Sequence, residues 1–142
     1  MKPAVPNSFV LFPLGKKRFA MPADRVTELA RPDILHSFPH NTGLLAGVLL
    51  RRGRIVPVCD VAQVLIGPSA PSRRFYLIAT RHFEGVAEST ALPVSGECEL
   101  VRTEMIPPTG KLPHYVCGLL PLEKEIIEVL DLDLLAAGEV TQ

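Results

Sequence analysis

The sequence predicts an all-β protein, a barrel or a pair of small barrels, on three observations. Short apolar runs of roughly four to eight residues recur from end to end. Gly, Pro, Asn or paired charges bound them. Helical periodicity is confined to two short stretches.

Taken in order, Phe9 to Leu14 and Arg18 to Met21 flank Gly15-Lys16-Lys17 and read as a first hairpin, with Gly where a positive φ is needed. Val26 to Ala30 is a third strand. The segment Arg31 to Thr42 carries Pro32, His36, Pro39, His40 and Asn41 and reads as a long surface connection. Leu45 to Leu50 and Arg54 to Val58 form the next hairpin around Arg51-Arg52-Gly53. Asp60 to Leu65 is a short helix capped by Asp60. A Pro, Ser and Gly run from Gly67 to Ser72 suggests a boundary, dividing a single domain of residues 1–142 into lobes of about 9–66 and 73–135, with exchange of terminal strands between them allowed. Beyond it, Phe75 to Thr80 and Phe83 to Ala87 pair around Arg81-His82, followed by strands Cys98 to Val101, Tyr115 to Leu120 and Ile126 to Leu130. A closing helix, Leu132 to Ala137, ends at Gly138, and the tail from Glu139 should be loose. No strict sequence repeat is read.

Composition narrows the function. Apolar residues make up 47% and charged residues 21% of the 142, the balance of an ordinary globular chain. Fifteen basic and fifteen acidic residues leave no net charge to attract nucleic acid, and six Phe, two Tyr and no Trp offer no base-stacking platform. The apolar run from Phe9 is broken by Pro13 and that from Leu44 stops at Arg51, so neither an export signal nor a spanning helix is expected. A cytoplasmic protein without membrane insertion follows. Cys59, Cys98 and Cys117 are odd in number and widely spaced, which reads as three buried thiols.

Catalytic patterns are missing. No G-x-S-x-G elbow, phosphate-cradling Gly loop, H-E-x-x-H or C-x-x-C occurs. His36 and His40 share a loop but lack further ligands, and His82 and His114 stand apart. Glu123, Glu125, Glu128, Asp131 and Asp133 read as a solvated edge. The expectation is a protein with no enzymatic activity, metal or cofactor.

The stretch from Leu45 to Val61 stands out. It is an apolar strand, a basic Gly turn, a second apolar strand and an Asp able to cap a helix. Gly47 allows a bend or a close approach, Gly53 the tight turn, and Pro57 should sit where no ladder hydrogen bond is needed. Its spacing, Gly47 through Arg52, Gly53, Pro57 and Asp60 to Val61, resembles the signature G-x-x-x-x-R-G-x-x-x-P-x-x-D-[LV] of the CheW-like family of chemotaxis coupling proteins. Val26-Thr27-Glu28-Leu29 resembles its V-x-E-[IL], and Tyr115-Val116-Cys117-Gly118 its Y-x-x-G hairpin. The second half departs from the pattern: Gly85 to Thr90 lacks the Asp of the usual G-x-x-V-D-x-[VI] strand.

The resemblance implies two five-stranded SH3-like barrels packed together, and a non-catalytic adaptor between the cytoplasmic tip of a chemoreceptor (a methyl-accepting chemotaxis protein) and the regulatory domain of a CheA-type histidine kinase. It implies a place within receptor arrays at the inner face of the membrane. The family's receptor contacts fall on positions that match Val26, Glu28 and Arg52, whereas Gly47, Gly53, Pro57, Asp60 and Gly118 match positions that shape the fold. A diverged module that binds receptors without recruiting kinase, as a competitor or array spacer, is the alternative, motivated by the missing Asp.

Overall fold

The computed structural model describes residues 7–31, 35–36, 45–66 and 75–137. The expected boundary from Gly67 to Ser72, most of the connection from Arg31 to Thr42, and the tail from Glu139 lie outside these residues. In chain order the elements are β1 (Ser8–Leu14), β2 (Lys17–Pro22), a 3₁₀ turn (Ala23–Arg25), β3 (Val26–Ala30), β4 (Leu45–Arg51), β5 (Arg54–Cys59) and α1 (Ala62–Leu65). There follow β6 (Phe75–Phe83), β7 (Val86–Val94), β8 (Glu99–Arg102), β9 (Val116–Leu122), β10 (Glu125–Leu130) and α2 (Leu132–Ala137).

The main correction concerns the third hairpin. Arg81 and His82 do not close it but continue β6, and the turn falls at Glu84-Gly85, both at positive φ (51° and 79°). The partner strand β7 therefore runs on to Val94. Gly85 meets the backbone demand of a tight turn, which the polar pair Arg81-His82 does not.

The strands form two five-stranded sheets, ordered β8-β1-β2-β10-β9 and β3-β6-β7-β5-β4. Sheet membership does not follow the halves of the chain. Strand β5 precedes the expected boundary, β6 and β7 follow it, and all three share one sheet.

Position by position, the two sheets match. Each has an antiparallel hairpin (β1–β2, β6–β7) joined through one parallel contact (β2–β10, β7–β5) to a second hairpin (β9–β10, β4–β5). Each second hairpin is followed by a short helix. Gly47 and Gly118, Arg52 and Glu123, Ile55 and Ile126, and Asp60 and Asp131 stand at one constant separation in sequence. The chain is thus two repeats of hairpin, strand, hairpin and helix, with the first hairpin of each lodged in the other's sheet. Few side chains are shared between repeats, which hides the repetition from a direct reading of the sequence.

Segments between strands close each sheet toward a barrel. His36 bridges to Val48 on β4, with N–H···O bonds of 2.9 Å in both directions, and Ile106 bridges to Leu119 on β9 in the same way at 2.9 Å.

Three apolar clusters explain why the strands are apolar on both faces. One fills the first barrel with Phe9, Leu11, Ala20, Leu120, Ile127 and Val129. A second fills the other with Ala30, Leu49, Val56, Val58, Tyr76, Ile78 and Ala91. The largest joins the sheets, combining Phe12, Leu14, Phe19 and Met21 with Leu77, Ala79, Leu92 and Val94, and receives Leu132 and Leu135 of α2. Along β1 the period of two sends Phe9 and Leu11 into the barrel and Phe12 and Leu14 between the barrels. Burying both faces of a strand requires the near-continuous apolar run seen in the sequence.

Candidate partner-binding site

The β4–β5 hairpin is built by its turn. Arg52 and Gly53 both have positive φ (52° and 77°), giving a two-residue connection whose register ends on the pair Arg51 and Arg54. Such a turn matches the twist of the flanking strands. Upstream, a Cβ on Gly47 would stand 2.5 Å from the His36 carbonyl oxygen and 2.9 Å from Leu35 Cδ1, so the missing side chain lets the closing segment cross β4. Pro57 lies opposite Val48, whose own N–H and C=O bond to His36, so the proline nitrogen faces no donor or acceptor of β4.

Strand β3 borders the opposite edge of the same sheet. Its register against β6 shifts between Val26 and Glu28, and the Thr27 hydroxyl there donates to the Ile78 carbonyl at 3.1 Å. This irregularity interrupts the simple alternation expected to place Val26 and Glu28 on one face. Val26 is half-buried against the cluster between the barrels. Glu28 instead reaches across the mouth of its barrel and forms an ion pair with Arg51.

The cation that meets Glu28 is therefore Arg51, and Arg52, the expected contact residue, stands exposed at the turn. The register supplies the reason. Ala30 and Leu49 lie in the same barrel cluster, and Glu28 and Arg51 are each two residues farther along their strands, toward the open end. The turn projects Arg52 beyond that face, free to meet a partner. Glu28 and Arg51 thus join the two edges of the second sheet at one rim, with Arg52 exposed at the adjoining turn and Val26 two residues before Glu28 on β3.

Beside this rim, Leu50 and Ile55 lie directly opposite each other and point outward, 55% and 68% exposed. The repeat places Pro121 and Ile126 in the same relation on the other barrel, with Ile126 64% exposed. Sequence reasoning passed over this pair, although two neighbouring leucines in one half-buried strand require that one face out. Paired large apolar side chains on two equivalent edges are surfaces suited to protein partners.

Asp60 is buried and stands one residue before Val61, the helix N-cap position, where no side-chain capping bond forms. At its counterpart in the repeat, the Asp131 carboxylate caps α2 by accepting the Leu134 N–H at 3.1 Å. Gly118 on β9 leaves room for Met105, whose sulfur lies 2.3 Å from where a Cβ would stand.

Of the three thiols only Cys59 is buried, while Cys98 and Cys117 are half-buried on less enclosed parts of the second half. Burial raises the thiol pKa of Cys98 to about 11, and burial with the nearby Asp131 charge raises that of Cys117. Neither is poised as a nucleophile at neutral pH. Among the described residues, no three His, Cys, Asp or Glu come together in an arrangement able to hold a metal ion. A cleft of about 670 Å³ at the end of the first barrel is lined by Leu11, Val101 and Leu122 with Arg18, Glu99 and Glu125. Three of its charges satisfy one another: Arg18 Nε donates to Glu125 at 2.9 Å and Nη1 to Glu99 at 3.3 Å.

Comparison with known proteins points the same way. A family model described as CheW-like domain matches residues 8–140. Protein FrzA of Myxococcus xanthus is 29% identical over 92 residues, which covers 61% of this chain and 56% of FrzA, little more than half its length. The probable chemotaxis protein CheW of Rhizobium etli is 25% identical over 135 residues, covering 91% of this chain and 86% of that protein. The crystal structure of the scaffolding protein TtCheW from Thermoanaerobacter tengcongensis superposes with a TM-score of 0.79 over 92% of each chain at 21% identity.

Proposed function

This chain belongs to the CheW-like domain family, and from that premise we propose that it is a chemosensory adaptor joining the cytoplasmic tip of a chemoreceptor to the regulatory domain of a CheA-type histidine kinase. The observation that carries the receptor side is the rim formed by Val26, Glu28, Arg51 and Arg52. A receptor helix laid along it meets apolar surface at Val26 and an exposed guanidinium at Arg52. Arg51 neutralises Glu28, so the rim as a whole is basic and suits a helix face carrying carboxylates. The exposed pair Leu50 and Ile55 supplies the apolar edge for the kinase. No helix among the described residues is long and apolar enough to cross a membrane. On this reading the receptor contact places the adaptor within receptor arrays.

Two separate affinities test the proposal, one for a receptor tip and one for the kinase regulatory domain of the same organism, measured by calorimetry. Binding to both is expected. Binding to the receptor alone makes this a competitor or spacer within the array, and binding to neither refutes the assignment. Arg52→Glu should weaken receptor binding by about tenfold while leaving stability within about 0.5 kcal/mol, since the side chain is exposed.

A further inference from the structure

Among the described residues the chain crosses between the sheets twice, from β2 to β3 through the 3₁₀ turn and from β7 to β8 through residues 95–98. The crossings are pinned differently. At the second, neutral bonds suffice: Ser95 N–H donates to the Pro13 carbonyl at 3.0 Å and Gly15 N–H to the Ser95 hydroxyl oxygen at 2.7 Å. At the first, Arg25 Nη1 donates to the Thr80 carbonyl on β6 at 3.1 Å, and its two terminal nitrogens donate to the Asp133 carboxylate on α2 at 3.1 and 3.0 Å. The same carboxylate accepts the His82 N–H at 2.7 Å. One guanidinium thus ties together the crossing, the neighbouring barrel and the C-terminal helix.

Strand β3 needs such a tie. It is an edge strand paired only with β6, and its ladder is irregular between Val26 and Glu28, the two residues proposed to meet a receptor. Arg25 immediately precedes Val26. The far end of the tie is firm, because Leu132 and Leu135 sink α2 into the cluster between the barrels. In the repeat, Asp133 corresponds to Ala62 on α1. The carboxylate therefore belongs only to the helix that serves the crossing into β3.

We propose that Arg25 and Asp133 are positioning residues, a clamp through which the C-terminal helix holds the start of β3 in the orientation that receives a receptor helix. The inference rests on the receptor reading above and adds residues that touch no receptor themselves. It also assigns α2 a role in binding, not only in closing the fold.

The test uses full-length protein carrying Arg25→Gln, Asp133→Asn or both, with Arg25→Lys as the conservative variant and Gly110→Ala as a control that alters an open position away from both the clamp and the rim. Asp133→Asn keeps an oxygen for the His82 N–H while removing the charge. Amide exchange is followed at β3 and His82 and at β9 and β10, alongside affinity for a receptor tip. Either single change should speed exchange at β3 and His82 about fivefold and weaken receptor binding by a similar factor, with β9 and β10 unaffected. The double variant should be no worse than the worse single one, and Arg25→Lys should fall between. Unchanged β3 exchange, or additive effects in the double variant, overturns the clamp. Faster exchange with unaltered affinity overturns its positioning role. Absence of receptor binding by the unaltered protein overturns the receptor reading itself, while exchange at β3 still decides whether the clamp exists.

Discussion

Replacing Gly47 by Ala should be the most damaging of three glycine substitutions. The added methyl would lie 2.5 Å from a backbone oxygen, that of His36, which cannot rotate aside as a side chain would. The φ of 157° adds backbone strain of its own. Moving the closing segment away sacrifices the two 2.9 Å bonds between His36 and Val48, each contributing about 1 kcal/mol. Residual strain costs about another 1–2 kcal/mol, so the total is about 3–4 kcal/mol. With an unfolding entropy near 2.1 cal/mol/K per residue over 142 residues, the melting temperature should fall by about 10 °C. Gly118→Ala meets mainly the flexible end of Met105 and should cost about 1–3 kcal/mol. Gly53→Ala meets nothing within 4 Å and suffers only for its φ of 77°, about 1 kcal/mol. Thermal and urea unfolding of the three variants gives the ranking. A Gly47→Ala protein as stable as Gly53→Ala would refute the idea that the closing segment crosses β4 at van der Waals contact.

The ion pair at α2 should be visible in acid. Burial pushes the Asp133 carboxyl upward, but the Arg25 hydrogen bonds, the His82 N–H and the charges of Arg25 and His82 outweigh it and hold the group below the usual carboxylate range. Its folded pKa is depressed, so its stabilisation is present above the unfolded value near 3.9 and lost as pH falls through the folded one. Urea unfolding of the unaltered protein and Asp133→Asn should therefore differ by about 1 kcal/mol at pH 7, after allowance for solvent screening of a partly exposed pair, and converge as the pH falls below the ordinary carboxylate range. A gap that persists in acid would count against it. Asp24, Asp131 and His82 face the same pair and are present in both proteins. Ile55→Asp should abolish kinase binding and spare receptor binding, with stability changed by less than about 0.5 kcal/mol because the side chain is mostly exposed; equal loss of both would separate Ile55 from a kinase-specific edge. Cys98, its thiol raised to about 11, should react with iodoacetamide at pH 8 about a hundredfold more slowly in the folded protein than in urea. Comparable rates would show that the thiol is not enclosed.

Much of the fold was legible because local chemistry and tertiary context agree. Val26 to Ala30 was read to the residue, and the hairpin around Arg51-Arg52-Gly53 was placed by its turn, although Arg51 belongs to β4. Where the reading failed, the information lay in contacts between distant segments. Strand β7 was misplaced because Glu84 accepts a positive φ that its residue type does not advertise. The exchange of hairpins between sheets leaves no local trace, since β1–β2 and β6–β7 both supply buried apolar residues to the cluster between the barrels and so read alike. Asp131 has the type and spacing of a cap and accepts the Leu134 N–H, a role that residue type alone can announce.

The ion pair beside the candidate site was not legible from residue type. Three arginines surround the turn, at 51, 52 and 54, and residue type cannot rank them. Register can. A two-residue turn fixes Arg51 opposite Arg54, the period of two then puts Arg51 on the face of Leu49, and Leu49 shares its cluster with Ala30 of β3. The carboxylate two residues before Ala30 is Glu28, so Arg51 and Glu28 must meet if the barrel closes at all. The family spacing points to the residue before the turn glycine, Arg52, which stands exposed, while Arg51 is engaged with Glu28.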